Sequence, residues 1–409
     1  MIMHRMAASS ILSAHACGVA TKRALLVILV LAAAPFAHAQ SKSFADAKLL
    51  WTLQWDADWV TSVTFVGNNK VVAGNKVGDM LLWTLPDAPA DKAPMPTRRL
   101  AGHTNEVSRL LTTPDQRTVI SASLDHTIKF WDMTSDGGAP GVVVLNERAR
   151  YEAETRKRKA PAIVEAKVTV QKSTRELTGH KDWVLGLSMT PDGKTLVSGA
   201  DRVVGPKKQK EGELIVWDLP AGKEVRRIYL KGWPWGLAIS PDGQTIVAAE
   251  RVPLVFDSGS RSGLALWNAQ TGAMKVDLSK TIKERMAAAA YSPDGKWLAV
   301  CRGGESNGLS GKVTLLDPAT GKKLRETNPG HLDGATDLAF HPDGKHIFSA
   351  GRDTTVKIWQ LEDGKHVSDL GKGRGGQFKD WICAIAISPD GSRLAAADMA
   401  GAVQIWSLR

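Results

Sequence analysis

One tripeptide, Pro-Asp-Gly, recurs along this chain at Pro191, Pro241, Pro293, Pro342 and Pro389, with degenerate copies at Pro114-Asp115-Gln116 and Gly67-Asn68-Asn69. Neighbouring copies lie 47 to 52 residues apart, except for one gap of 77 after Pro114. Proline presets the φ of a turn and Asp-Gly completes it, so each copy reads as a tight connection between two strands. Short apolar runs flank the turns: Leu187–Thr190 and Thr195–Ser198 around Pro191, Leu237–Ser240 and Thr245–Ala248 around Pro241. A third run follows and ends on Trp83, Trp131, Trp217, Trp267, Trp359 or Trp406, with Leu316 in that place in the fifth copy. The runs alternate with the period of a strand, and no amphipathic helix separates the units.

Units of this length with three or four strands each predict an all-β chain folded as a seven-bladed β-propeller of four-stranded antiparallel blades. Outer strands are expected near Arg98–Leu100, Ser173–Leu177, Val225–Leu230, Met274–Leu278, Leu324–Thr327 and Val367–Leu370. The seventh unit has no such run after Trp406, because Arg409 follows three residues later. The run Leu49–Gln54 precedes the first blade and is expected to join the last blade as its outer strand, hiding two sheet edges that would otherwise recruit other chains. The propeller then spans residues 48–409.

Gly102-His103, Gly179-His180 and Gly330-His331, with Trp131-Asp132 and Trp217-Asp218, carry a further signal. On these residues the sequence resembles the WD-repeat (WD40) β-propeller family, as a bacterial-type secreted member, over about Lys48 to Arg409 apart from insertions. The resemblance implies a buried His-Ser-Asp-Trp tetrad inside a blade. Its offsets are met by His103, Ser121, Asp125 and Trp131 in the second blade, and by His331, Ser349, Asp353 and Trp359 in the sixth. The third blade keeps His180, Ser198 and Trp217, with Asp201 one place early. In the other four, Asp56, Leu230, Ile282 and Phe378 stand where the His would be, so packing is expected to hold those blades. A Ser-His-Asp trio invites a catalytic reading. Its duplication at fixed blade offsets, each time with a Trp, fits a structural network instead.

The N-terminus reads as a signal peptide over residues 1–39. Lys22 and Arg23 precede an apolar core, Ala24–Ala34, and Ala37-His38-Ala39 is a cleavage site of small-x-small type, with the mature chain starting near Gln40. The apolar core is too short to span a bilayer, so no transmembrane segment is expected after cleavage. The expected location is periplasmic or secreted. Three cysteines are too few for a disulfide scaffold, and no bridge is expected between Cys301 and Cys383. The net charge of +11 points to acidic partners or anionic surfaces.

Residues 137–171 interrupt the second blade between its third and fourth strands. Two β-like runs, Val142–Leu145 and Ile163–Val170, flank a charged stretch with Arg148, Arg150, Arg156, Lys157, Arg158 and Lys159, which is compatible with a helix on a projecting arm. A solvated excursion and a docking arm for an acidic partner or lipid headgroups both remain open. Shorter insertions at Arg202–Glu211, Arg251–Arg261 and Gly303–Ser310 follow second strands. By resemblance they rim the face opposite the Pro-Asp-Gly hairpins.

The position eight residues before each turn carries the functional signal. Around the ring it reads Trp59, Glu106, Trp183, Trp233, Arg285, Gly334 and Trp381, and Trp235 stands two places after Trp233. By resemblance these residues begin the innermost strands, near Arg352, on the surface through which propellers of this family bind partners. Trp and Arg dominate binding hot spots. The alternative is that the Trp residues are core. The leading expectation is a non-catalytic scaffold, monomeric, that binds another protein, with the positive charge favouring an acidic one, and with no nucleic acid and no cofactor. A small ligand or glycan at the channel mouth is the alternative. A propeller hydrolase or lyase is less favoured, because the axial charges Glu106 and Arg285 form no acid–base pair at a shared offset. His341 and His346 bracket the sixth turn without further ligands nearby, so no metal is assigned.

Overall fold

A computed structural model describes residues 44–53, 55–56, 59–88, 90–205, 209–253, 260–303, 311–373 and 376–409. The leader at 1–39, Lys207 and Lys208, and most of the loop Gly303–Ser310 lie outside the described residues. Seven β-sheets follow one another along the chain, antiparallel apart from one parallel pairing in the first, and in each the innermost strand leads into the Pro-Asp-Gly turn or its degenerate copy. The third blade is representative: Val184–Met189, Thr195–Val204, Gln209–Asp218 and Lys223–Leu230 pair in that order. At the tip of its first hairpin Gly193 has φ +69°, the left-handed region that glycine enters at no steric cost.

The seventh blade consists of Ile382–Ile387, Arg393–Asp398 and Val403–Ser407, and Lys48–Leu53 pairs antiparallel with the last of these. Trp51 and Leu53 are buried there. Just before this strand, the 3₁₀ turn Phe44–Asp46 sends Phe44 into the core beside His341, His346 and Phe348 of the sixth blade. The two histidines are thus structural. His341 Nε2 donates to Gly391 O at 3.0 Å, and His346 Nδ1 donates to the Asp343 carboxylate at 2.7 Å.

The tetrads form in the second and sixth blades. Trp131 Nε1 donates to Ser121 Oγ (2.8 Å), Ser121 to His103 Nε2 (2.6 Å), and His103 Nδ1 to Asp125 (2.7 Å). The same chain in the sixth blade, through Trp359, Ser349, His331 and Asp353, measures 2.9, 2.7 and 2.9 Å. The third blade corrects the sequence reading: His180 Nδ1 meets Glu213 at 2.7 Å, not Asp201. In the complete blades the Asp sits in a tight turn after the second strand. Here the insertion continues the hairpin as two ten-residue strands, so Asp201 stays in the ladder opposite Gly212 and the carboxylate comes from the facing strand. Burial alone would raise the Glu213 carboxyl. Hydrogen bonds from His180 and Arg227 outweigh it and hold the group ionised, while burial lowers the affinity of His180 for a second proton.

Where the tetrad is missing, packing replaces it. Leu230, Ile282 and Phe378 are buried at the His position, and Phe378 stacks on Trp406. One cost is visible: the indole N–H groups of Trp83, Trp267 and Trp406 are buried without an acceptor. The serine that would accept them is Gly74, Ala248 and Ala396 in these blades. A Cβ on Gly74 would come within 2.7 Å of Val107 Cγ1, which excludes serine there. Ala248 faces Ala265 in the register in which Ser121 faces Lys129. Ala248→Ser is therefore expected to give Trp267 its acceptor and to stabilise the fold by about 1 kcal/mol. The urea midpoint should rise; an unchanged or lower midpoint would show that the hydroxyl does not reach the indole.

The insertion does not project as a free arm. Ala139–Val144 and Glu165–Gln171 form a hairpin, and the second strand pairs in parallel with Pro96–Leu100, the outer strand of the first blade. The first blade becomes a six-stranded sheet, although its extra strands belong in sequence to the second. Leu145, Ala166 and Val168 pack into the core that holds Trp51, Trp55 and Trp83. A buried Arg98 fixes the junction, donating to Ser135 O at 2.6 Å and pairing with Asp136. Between the two strands lies the helix Glu147–Thr155.

Candidate functional site at the channel mouth

Six blades fix the residue eight places before the turn by a backbone bond, and in the fourth Trp233 pairs with Arg251 in the strand ladder. The carbonyl accepts an N–H from the residue that follows the second strand, or in the third blade from the extended strand itself: Trp59 from Lys76, Glu106 from Leu124, Trp183 from Asp201, Arg285 from Gly303, Gly334 from Arg352 and Trp381 from Met399. The residue before it adds a side-chain cap in three blades, where Asn105, Asp182 and Asp380 accept the N–H of Glu106, Trp183 and Trp381. These bonds leave the side chains at the rim while the strands enter the core. Trp59 is held at φ +36°, a conformation uncommon for an L-residue.

The rim encloses a cavity of about 560 Å³. Trp59, Glu106, Trp183, Trp233, Trp235, Arg352 and Trp381 all line it, whereas Arg285 and Gly334 do not. The three most accessible tryptophans are exposed by 42% (Trp183), 46% (Trp235) and 38% (Trp381); Trp59 and Trp233 are half-buried. They are surface residues of the mouth, and the core reading does not hold for them.

A second ring escaped the sequence reading except at Trp235. The position six before each turn reads Thr61, Ser108, Leu185, Trp235, Ala287, Thr336 and Cys383, and all seven residues line the cavity. Three of them also stitch blades together: Thr61, Ser108 and Thr336 donate to the carbonyls of Val107, Val184 and Ile382 in the next blade. A common offset could have identified this ring, but its varied residue types gave no composition signal. Deeper in the channel, Arg109 pairs with Asp337 at 3.3 Å, bridging the second and sixth blades. Arg109 lines both this cavity and a second one of about 420 Å³ that opens among Pro191, Pro241 and Pro293.

Cations lie over the indoles. Lys76 sits 3.8 Å from the Trp59 ring, Arg352 4.5 Å from Trp381, and Arg251 5.9 and 5.8 Å from Trp233 and Trp235. Such contacts hold the flat rings in place and polarise the surface. Burial raises the Glu106 carboxyl above its ordinary value, against the pull of Lys76. Burial lowers Arg352, and Arg251 adds to that effect. Arg285 is lowered by burial and by Arg251 as well. The Cys383 thiol is pushed up to about 12, mainly by burial, so at neutral pH it is not a thiolate nucleophile. Cys301 and Cys383 are both free. Among the described residues no cluster of His, Cys, Asp and Glu could hold a metal ion, and no helix is long and apolar enough to cross a membrane.

The family described as WD domain, G-beta repeat matches residues 94–132, 171–204, 322–360 and 373–407. WD repeat and SOCS box-containing protein 1 of Homo sapiens is 33% identical over 100 residues, which are 24% of this chain and 23% of that protein. Transcription factor unc-37 of Caenorhabditis elegans is 34% identical over 110 residues, 27% of this chain and 17% of that protein. These matches thus span about a quarter or less of each relative. Among solved structures, the WD40 beta propeller domain of Doa1 superposes with a TM-score of 0.64 at 17% identity, covering 89% of this chain and 97% of that one. That likeness concerns the fold.

Proposed function

The chain carries WD40 repeats on a seven-bladed β-propeller, and from that premise we propose that it is a monomeric, non-catalytic scaffold that holds another protein against the Trp-bearing face around its channel mouth. WD40 propellers bind other proteins, and they are generally non-catalytic. One observation carries the choice of face: Trp183, Trp235 and Trp381 stand exposed around a single cavity, at or just before the starts of inner strands. Rigid aromatic anchors bury large area at small entropic cost, and such residues concentrate binding energy. Arg352 and Glu106 would supply charged contacts at the same rim. The leader read at 1–39 supports a periplasmic or secreted setting for the scaffold, in a bacterial-type member of the family.

The triple variant Trp183→Ala/Trp235→Ala/Trp381→Ala tests the reading. In affinity capture from an extract of the source cells, it is expected to recover specific partners at least about 30-fold less than the wild type, with an unchanged urea midpoint. Equal recovery by the variant would remove this face from the account.

A further inference from the structure

The loop between the two inserted strands is a built object. Asn146 closes it at its neck: its Nδ2 donates to Ala162 O at 2.7 Å, its Oδ1 accepts the Val164 N–H at 3.0 Å, and Leu145 N donates to Val164 O at 2.7 Å. Arg150 ties the helix to the return strand through Pro161 O at 2.5 Å. Asp56, three residues before Trp59, anchors the whole loop to the first blade, giving its N–H to Leu145 O and accepting the Ala149 N–H. The loop is therefore held to the first blade at its neck and at the start of its helix.

Its charges are sorted. Glu152 and Glu154 are engaged by Arg148, Arg150 and Arg156 along the helix, and Glu147 stands in the first turn. At the tip the chain reverses through Lys157, with φ +51°, and Lys157, Arg158 and Lys159 are exposed and form no ion pair among the described residues. Two apolar side chains accompany them in the open: Tyr151 is exposed by 69% and Ile163 by 55%. A protein partner's acidic patch would need only the cations. Cations together with an exposed aromatic ring and an aliphatic side chain match the two layers of a lipid interface: headgroup charge outside, acyl boundary beneath.

We propose that the loop Asn146–Ile163 is an electrostatic anchor for an anionic phospholipid surface, through Lys157, Arg158 and Lys159 with Tyr151 and Ile163 as shallow insertions. Each cation near such a surface contributes several-fold in partitioning, and the attraction falls with salt. The surface is separate from the Trp face, so the proposal stands or falls independently of the partner-binding reading.

Cosedimentation of the full chain with vesicles tests it. With phosphatidylcholine vesicles containing about 30 mol% phosphatidylglycerol, the wild type is expected to partition at least about tenfold more strongly than with phosphatidylcholine alone. The variant Lys157→Glu/Arg158→Glu/Lys159→Glu is expected to lose that difference while keeping the wild-type circular dichroism and urea midpoint. Salt at about 1 M should abolish it as well. Tyr151→Ala/Ile163→Ser should weaken binding several-fold without changing its salt dependence. Equal partitioning on both vesicle types, or full binding by the charge-reversed variant, would overturn the proposal. So would tip-dependent capture of an acidic protein or a nucleic acid without vesicle binding.

Discussion

Asp353→Ala is expected to lower the unfolding free energy of the propeller by about 3 kcal/mol, read as a large fall in the urea midpoint. The Asp353 carboxylate accepts from His331 Nδ1 at 2.9 Å, from the Leu332 N–H at 3.0 Å and from Thr355 Oγ1 at 2.9 Å. His331 is fully buried, so alanine leaves its ring N–H without a partner where water does not enter. The chain of donors also loses its end: Trp359 feeds Ser349 and Ser349 feeds His331, so the orientation of all three relaxes. The backbone packs closely on the same ring, since a Cβ at Gly351 would lie 2.1 Å from His331 Nδ1. Asp353→Asn should cost less, since it keeps an acceptor. A loss below about 1 kcal/mol for the alanine variant would mean that the network fixes geometry without supporting stability.

Acid should act on the same networks. Burial alone would raise the Asp125 and Asp353 carboxyls, but hydrogen bonds from the histidines and neighbouring donors hold both below the ordinary value. A depressed carboxyl contributes stability in full above its unfolded pKa, near 4, and loses it as pH falls toward the folded value. His180, lowered by burial, adds an earlier limb: its contribution is complete above about pH 6.5 and declines below, because only the unfolded chain then takes up the proton freely. Stability should therefore begin to fall below about pH 6.5 and drop more steeply below about pH 4. Asp353→Ala should flatten the lower limb.

Phe44→Ala is expected to cost a further large amount, about 3–4 kcal/mol. The ring is almost wholly buried, with edge contacts to His341, His346 and Phe348 at centroid distances of 5.5, 5.0 and 5.3 Å. It pins the segment that leads into Lys48–Leu53, the outer strand of the seventh blade. Truncation leaves a cavity among rings that cannot collapse, because His341 and His346 are held by Gly391 O and Asp343. The variant should unfold at lower urea and expose the edge of Val403–Ser407 to hydrogen exchange before the other blades open. A loss under about 1 kcal/mol, with the seventh blade protected as before, would show that the strand pairing alone secures that blade.

Much of this was legible because the fold repeats. A turn tripeptide at nearly constant spacing gave the strand pairs, and the offsets of His103, Ser121 and Trp131 carried over to His331, Ser349 and Trp359. Glu213 was illegible for a local reason. The insertion extended a hairpin, and the register of ten-residue strands moved the carboxylate onto the facing strand. The six-stranded first blade was illegible for a non-local one: three parallel register pairs join Thr169–Gln171 to Arg98–Leu100, and no sequence pattern marks a parallel addition that short. At the mouth, tryptophans announced one ring, while the ring of Thr61, Ser108, Leu185, Ala287, Thr336 and Cys383 stayed silent because backbone placement, not residue type, puts those side chains there.

We propose that a protein partner sits on the Trp-bearing mouth. Hydrogen–deuterium exchange of the propeller, free and saturated with a captured partner, tests it most directly. Protection is predicted in residues 59–62, 183–187, 233–237 and 381–384, with the hairpin tips at 190–195, 241–245 and 389–393 exchanging as in the free protein. Protection confined to those hairpins, with the Trp-bearing segments unchanged, would contradict it.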